Sequence, residues 1–102
     1  MDKPGVPELA KAFAALSSPE RLAIVGLLLA EEGPHCGEIA RALGMSTPAL
    51  SYHLRTLEET GLVRRTRQGR MHWISLTPLV AQLLRAGILV ELKKEGKRWA
   101  IK

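Results

Sequence analysis

At 102 residues the chain has the size of one domain, small enough that its own core is marginal and a second subunit would add useful burial. Hydrophobic residues make up 46% and charged residues 25%, which is ordinary for a soluble globular protein. The net charge of +5 favours an anionic partner, and the single cysteine, Cys36, excludes an intrachain disulfide. The N-terminal "MDKPGVPELAKAF" lacks the basic start and apolar run of a signal peptide. The longest apolar run, 22–30, is about half of what a bilayer span requires. These features predict a cytoplasmic protein with no membrane partner.

In chain order, Pro7 suits a first helical turn, and Leu9, Ala12, Phe13 and Leu16 recur at helical spacing. "SSPE" at 17–20 predicts a helix start, with Ser17 and Glu20 at capping-box spacing and Pro19 in the first turn. The helix over 19–31 is apolar nearly all round and should be central. A short helix over 36–43 ends at Gly44, a residue suited to a left-handed cap. Ser46 then caps a helix over 47–59, with Pro48 in its first turn, Leu50, Leu54 and Leu57 on its inner side, and Gly61 as its stop. Two helices joined by the short turn "LGMS" form a helix-turn-helix. After them "LVRRTRQGRMHWISL" alternates around Gln68-Gly69 and predicts a β-hairpin. Thr77-Pro78 opens a last helix over 78–94, whose apolar face includes Leu79, Leu83, Ala86 and Val90 and is widened by Leu84, Ile88, Leu89 and Leu92. An end helix this apolar, in so small a chain, calls for a partner.

On the wheel of the 47–59 helix, Pro48, Tyr52, Arg55 and Glu59 fall opposite the leucines, with Thr47 and Ser51 on a flank near the N-terminal end. Short hydrogen-bonding side chains, an aromatic and an arginine are the groups that reach base edges in a major groove. The helix N-terminus itself offers free N–H groups to phosphate. Any amphipathic surface helix has a polar face, so the hairpin is what distinguishes this one. Arg64, Arg65, Arg67 and Arg70 cluster around its turn with Gln68, uninterrupted by an acidic residue. Such a tip suits phosphate contact or insertion into a minor groove. Helix-turn-helix plus basic hairpin is a winged helix. The candidate DNA-binding set is Thr47, Pro48, Ser51, Tyr52, Arg55, Arg65, Arg67, Gln68 and Arg70, with Ser46 and His53 as further phosphate candidates. His53 sits beside the apolar stripe, where a half-buried, hydrogen-bonded ring is the plainer reading.

The run "GEIARALGMSTPALSYHLRTLEETGLVRRTRQGRMHWISLTP" (37–78) resembles the ArsR/SmtB family of repressors. The resemblance lies in "SYHLRTLEETGLV", the "RQGR" wing tip, Trp73 and the "LTP" that opens the last helix. "LSSPERLAIVGLLL" (16–29) resembles the family's second helix, and the likeness covers roughly 8–90. It implies a homodimer, paired through its first and last helices (7–16 and 78–94), that binds an inverted-repeat operator on double-stranded DNA and lets go on meeting an inducer. The expected architecture is therefore mainly α with a small β-hairpin, a winged helix-turn-helix in a single domain over 1–102. The expected function is sequence-specific DNA-binding regulation, most simply as a dimeric repressor. The competing class is a winged helix that binds another protein, against which the arginine-rich wing argues, because interface cores exclude such charge density.

Inducers in this family include metals and arsenite. One family site is a Cys-x-Cys-Asp stretch before the recognition helix. Here that stretch reads "HCGE", with His35 and Gly37 where the cysteines would be. His35, Cys36 and Glu38 are three donors of types that zinc accepts, but one thiolate is not the set a thiophilic metal selects. The family's other site uses Asp and His on the last helix, and 77–102 contains no His, Asp or Cys. No resident cofactor is expected, and the release signal is left open among an organic small molecule, a redox change at Cys36, a metal, a protein partner and no inducer at all. No phosphate-binding glycine loop, HExxH or GxSxG is present, so no enzyme is expected.

Overall fold

The computed structural model describes residues 5–84, 93–94 and 96–99. Its elements run α1 (Val6–Leu16), α2 (Pro19–Ala30), α3 (Cys36–Leu43), α4 (Thr47–Glu59), β1 (Val63–Gln68), β2 (Met71–Leu76) and α5 (Pro78–Leu83). α2 is the central helix, with Ile24, Val25, Gly26, Leu27 and Leu28 buried. Around it α1 contributes Ala12, Ala15 and Leu16, α3 Ile39, α4 Leu50, Leu54 and Leu57, the hairpin Val63 and Ile74, and α5 Val80. Each element thus gives its apolar stripe to one cluster. No single helix among the described residues is long and apolar enough to cross a membrane.

Helix starts follow proline. Pro19 occupies the first position of α2, where a missing N–H leaves nothing unsatisfied, so the residue just before it must cap. The cap is accordingly Ser18, not Ser17. Its hydroxyl oxygen accepts the Arg21 N–H at 3.3 Å, and its O–H donates to Glu20 Oε2 at 3.0 Å. The capping box of this chain lies instead on α3. There His35 Nδ1 accepts the Glu38 N–H at 3.4 Å and Glu38 Oε1 accepts the His35 N–H at 3.2 Å.

Helix stops use one device twice. At Gly44 (φ 66°) the Met45 N–H reaches Ala40 O at 2.9 Å, and the Gly44 N–H reaches Arg41 O at 3.4 Å. At Gly61 (φ 76°) the Leu62 N–H reaches Leu57 O at 2.9 Å, and the Gly61 N–H reaches Glu58 O at 3.0 Å. Both are Schellman closures, which need a left-handed residue that glycine adopts without a β-carbon clash. The first sets the turn from α3 into α4. The second turns the chain from α4 into the wing.

The wing pairs β1 and β2 antiparallel, with Val63 opposite Leu76, Arg65 opposite Ile74 and Gln68 opposite Met71. The two-residue loop is therefore Gly69-Arg70, one residue later than the expected Gln68-Gly69. Two threonine bonds anchor the wing's base. The Thr77 N–H reaches Leu62 O at 3.0 Å, and the Thr77 hydroxyl donates to Gly61 O. On its other edge β2 meets the entry to α3, through an Ile74 N–H to Pro34 O bond of 3.0 Å and a bridge between His35 and Trp73.

The last helix departs from the 78–94 expectation. It stops at Leu83, and Leu84 is extended (φ −114°, ψ 138°). Val80 is buried, and Leu79, Leu83 and Leu84 pack against the same core. Apolar spacing records that these residues seek cover; it does not separate one long helix from a short one that turns into its own core. Ala86, Ile88, Leu89, Val90 and Leu92 lie outside the described residues. Farther on, Gly96 is buried against α2, where any β-carbon would overlap the Gly26 carbonyl.

Leu54 is 1% exposed at the centre of the cluster. Leu54→Ala should cost about 2–5 kcal/mol, read from urea unfolding at fixed protein concentration. Glu20 gives a test with pH. Its own backbone N–H and the Ser18 hydroxyl hold its carboxyl below the usual carboxylate range. A carboxyl more acidic folded than unfolded stabilises above its unfolded value, and that contribution fades as pH falls through the folded one. Thermal melts of Glu20→Gln should therefore lie below wild type at neutral pH and converge with it in acid.

Candidate nucleic-acid interface

Because Leu50, Leu54 and Leu57 turn inward, α4 must present its other face outward. Ser46, Thr47, Pro48, Ser51 and Arg55 are exposed on it, and Tyr52 is 58% exposed. Pro48, Ser51, Tyr52, Arg55 and Thr56 line one shallow depression along the helix. Ser46 has a structural duty as well, since its hydroxyl oxygen accepts the Ala49 N–H at 3.2 Å as the cap. Among the described residues Arg55 has neither hydrogen-bond nor ion-pair partner, so its five N–H donors are open to an anion or a base edge.

His53 is half-buried and answers to α2. Arg21 Nη1 lies 3.2 Å from its Nδ1, while Arg21 Nε donates to Ala15 O at the end of α1. A guanidinium only donates, so Nδ1 is the acceptor and the ring hydrogen sits on Nε2. The ring also meets Tyr52 edge-on at 5.3 Å. The structure thus places His53 as the hydrogen-bonded residue that its position beside the apolar stripe suggested.

Beyond the helix, Arg67, Gln68 and Arg70 surround the exposed wing tip. Arg67 Nε donates to Gly69 O at 3.0 Å, which steadies the turn and leaves four of its N–H groups unassigned. Arg65 stands apart from this group. It faces α4, where Glu58 Oε1 accepts its Nη2 at 2.7 Å and its Nε at 2.9 Å. Neither this pair nor the Arg21–His53 bond has a signature in sequence, because the partners are joined only by the fold.

The candidate metal donors do not fit a metal. His35 Nδ1 is the acceptor of the capping box, and its Nε2 lies 3.3 Å from Glu38 Oε1, so each ring nitrogen faces the same glutamate residue. The ring packs edge-on against Trp73 at 5.5 Å. Cys36 is half-buried, and burial pushes its thiol above the usual range even though Arg65 nearby pulls the other way. Among the described residues no group of three His, Cys, Asp or Glu is placed to hold a metal ion. The spacing from His35 to Glu38 was the available signal for a capping box, obscured because histidine is an unusual cap.

A family model described as a helix-turn-helix domain matches residues 16–66. The chain is 33% identical over 84 residues to YceK of Bacillus subtilis, an HTH-type transcriptional regulator, covering 81% of this chain and 84% of that one. It is 38% identical over 86 residues to the HTH-type transcriptional regulator NmtR of Mycobacterium tuberculosis, covering 82% and 70%. With the arsenical resistance operon repressor of Escherichia coli it shares 40% over 67 residues, which is 65% of this chain and 56% of that one. The chain belongs to the ArsR/SmtB family of winged helix-turn-helix transcriptional regulators. Among solved structures, this ArsR-family chain matches the homodimeric winged helix-turn-helix DNA-binding domain of a possible ArsR-family regulator from Mycobacterium bovis. The TM-score is 0.68 at 26% identity, over 93% of this chain and 91% of that one.

The thiol environment yields a direct measurement. A thiol raised by burial is less ionised at neutral pH than a free cysteine. Reaction of Cys36 with a disulfide reagent should be slower than that of a free thiol at pH 7.5 and should climb only in alkali. Rapid reaction at neutral pH would contradict the burial described here.

Proposed function

We propose that two copies of this chain bind an inverted-repeat operator and repress transcription from it until an inducer releases them. The observation that carries this is the outward face of α4, with Thr47, Ser51, Tyr52 and unpaired Arg55, set beside a wing tip that holds Arg67, Gln68 and Arg70. Thr47, Ser51, Tyr52 and Arg55 reach base edges and adjacent phosphates in the major groove. Pro48 packs at the entry of the helix, and Ser46 and His53 Nε2 approach phosphate. Arg67, Gln68 and Arg70 hold the flanking backbone or minor groove. In a two-fold dimer the α4 helices enter successive major grooves about 34 Å apart.

The dimer reading is supported by α1. Val6 is 79% and Phe13 51% exposed, and Ala10 and Ala14 on the same side are exposed too. That stripe lies on the side opposite the buried Ala12, Ala15 and Leu16, and contiguous exposed apolar surface marks an interaction site. The relative from M. bovis is described as homodimeric. Occlusion of a promoter in the cytoplasm requires binding alone, with no catalytic step and no resident cofactor. With His35 and Glu38 engaged in a capping box and Cys36 half-buried, the inducer is best sought first among organic small molecules.

Fluorescence anisotropy on duplex from the chain's own upstream region, against scrambled duplex over a salt series, tests the reading. Arg55→Ala should cost about 1–3 kcal/mol of operator binding and relax sequence preference. Arg67→Ala should weaken native and scrambled duplex alike and reduce the salt slope by about two, one for each subunit. Dimer mass and helicity should be unchanged in both. Phe13→Glu should shift the mass measured by light scattering from dimer to monomer and weaken operator binding more than tenfold, since each subunit then binds alone. Equal binding of wild type to both duplexes would sink the operator reading.

A further inference from the structure

We propose that Glu58 and Arg65 are positioning residues for DNA binding: their ion pair fixes the wing against the recognition helix, and Arg65 does not itself contact DNA. The inference rests on the interface proposed above and specifies how its two halves are held in register.

Glu58 lies in the last turn of α4, and Arg65 is the third residue of β1. Two nitrogens of Arg65 share Glu58 Oε1, at 2.7 and 2.9 Å. The side chains are 28% and 34% exposed, so the contact is partly shielded from solvent. Strand alternation puts Arg65 on the same face as Val63 and Arg67. Val63 is rooted in the core at 4% exposed, and Arg67 is exposed at the tip. Arg65 is therefore midway between the anchored and the working ends of the strand. Opposite it, Ile74 is fully buried.

The outer wing needs such a tie. The Thr77 bonds secure its base and the Pro34 bond secures Ile74, but past Thr66 the wing is a two-stranded ribbon, which is marginal on its own and twists readily. Among the described residues the Glu58–Arg65 pair is the one ion pair that joins the wing to α4. Placing a carboxylate near DNA is unfavourable in itself, and here Arg65 compensates for it while setting the angle of the ribbon. Both residues thus act through Arg67 and Arg70.

The signs of two substitutions separate this proposal from its rival. If Arg65 touched phosphate, removing Glu58 would free it and strengthen binding. If the pair positions the wing, removing either member weakens binding. Glu58→Gln is compared with Glu59→Gln, an adjacent exposed carboxylate with the same change of charge, on duplex from the chain's own upstream region. The expected result is binding about three- to fivefold weaker for Glu58→Gln than for Glu59→Gln, the size of a partly exposed pair. Its salt slope should be shallower than that of Glu59→Gln, as Arg67 and Arg70 hold phosphate less well. Arg65→Gln should show the same loss. The swapped double variant, Glu58→Arg with Arg65→Glu, should recover slope and hydroxyl-radical protection on the wing flanks, which a merely folded protein would not. Melting curves of every variant establish that each is folded. Binding by Glu58→Gln equal to or tighter than that by Glu59→Gln, with Arg55→Ala still weak, overturns the proposal and leaves the interface standing. If Arg55→Ala also binds normally, the interface falls and the proposal with it.

Discussion

Three leucines on about two turns of helix govern what this protein presents to its surroundings. Leu50, Leu54 and Leu57 are each at most 2% exposed, and burying three such side chains is worth several times the total contribution of any surface polar group on α4. Their demand fixes the rotation of the helix about its axis. Tyr52 and Arg55 face outward as a result, with no interaction of their own needed to hold them there. The recognition face is the complement of the core face, and a change that rotated α4 by one residue would expose a leucine for every polar group it withdrew.

Rotation alone does not set direction. The two Schellman closures at Gly44 and Gly61 fix the entry to α4 from α3 and the exit from α4 into the wing. Thr77 then returns the far end of the hairpin to the residues where the exit began. α4 is in this way clamped at both ends by backbone hydrogen bonds, joined at its exit by the Thr77 hydroxyl.

The parts legible in sequence were those written in local spacing. The prolines at 7, 19, 48 and 78, the glycine stops and the leucine stripe of α4 placed the helices, and the alternation after Gly61 placed the hairpin. Errors of one residue, at Ser18 and at the Gly69-Arg70 loop, came from features that tolerate either neighbour until the backbone chooses. His35 and Glu38 were visible as a pair but looked like metal donors, because spacing of three serves a ligand set and a capping box alike. Arg65 was grouped with its neighbouring arginines because charge clustering carries no information about which face of a strand each side chain takes against a helix seven residues back. The stop at Leu83 was illegible for a related reason, since apolar residues report that they will be covered and not by what.

Arg21 carries a consequence of a different kind. It donates to the carbonyl of Ala15 near the end of α1 and to the ring of His53 on α4, while belonging to α2. Apolar surfaces slide over one another at small cost, whereas a guanidinium held at both ends does not. The three helices are therefore pinned as a single lever arm, with the exposed stripe of α1 at one end and the reading face of α4 at the other. In any symmetric pair built on that stripe, the span between the two reading faces is a dimension of the subunit itself, a ruler cut before the second copy arrives.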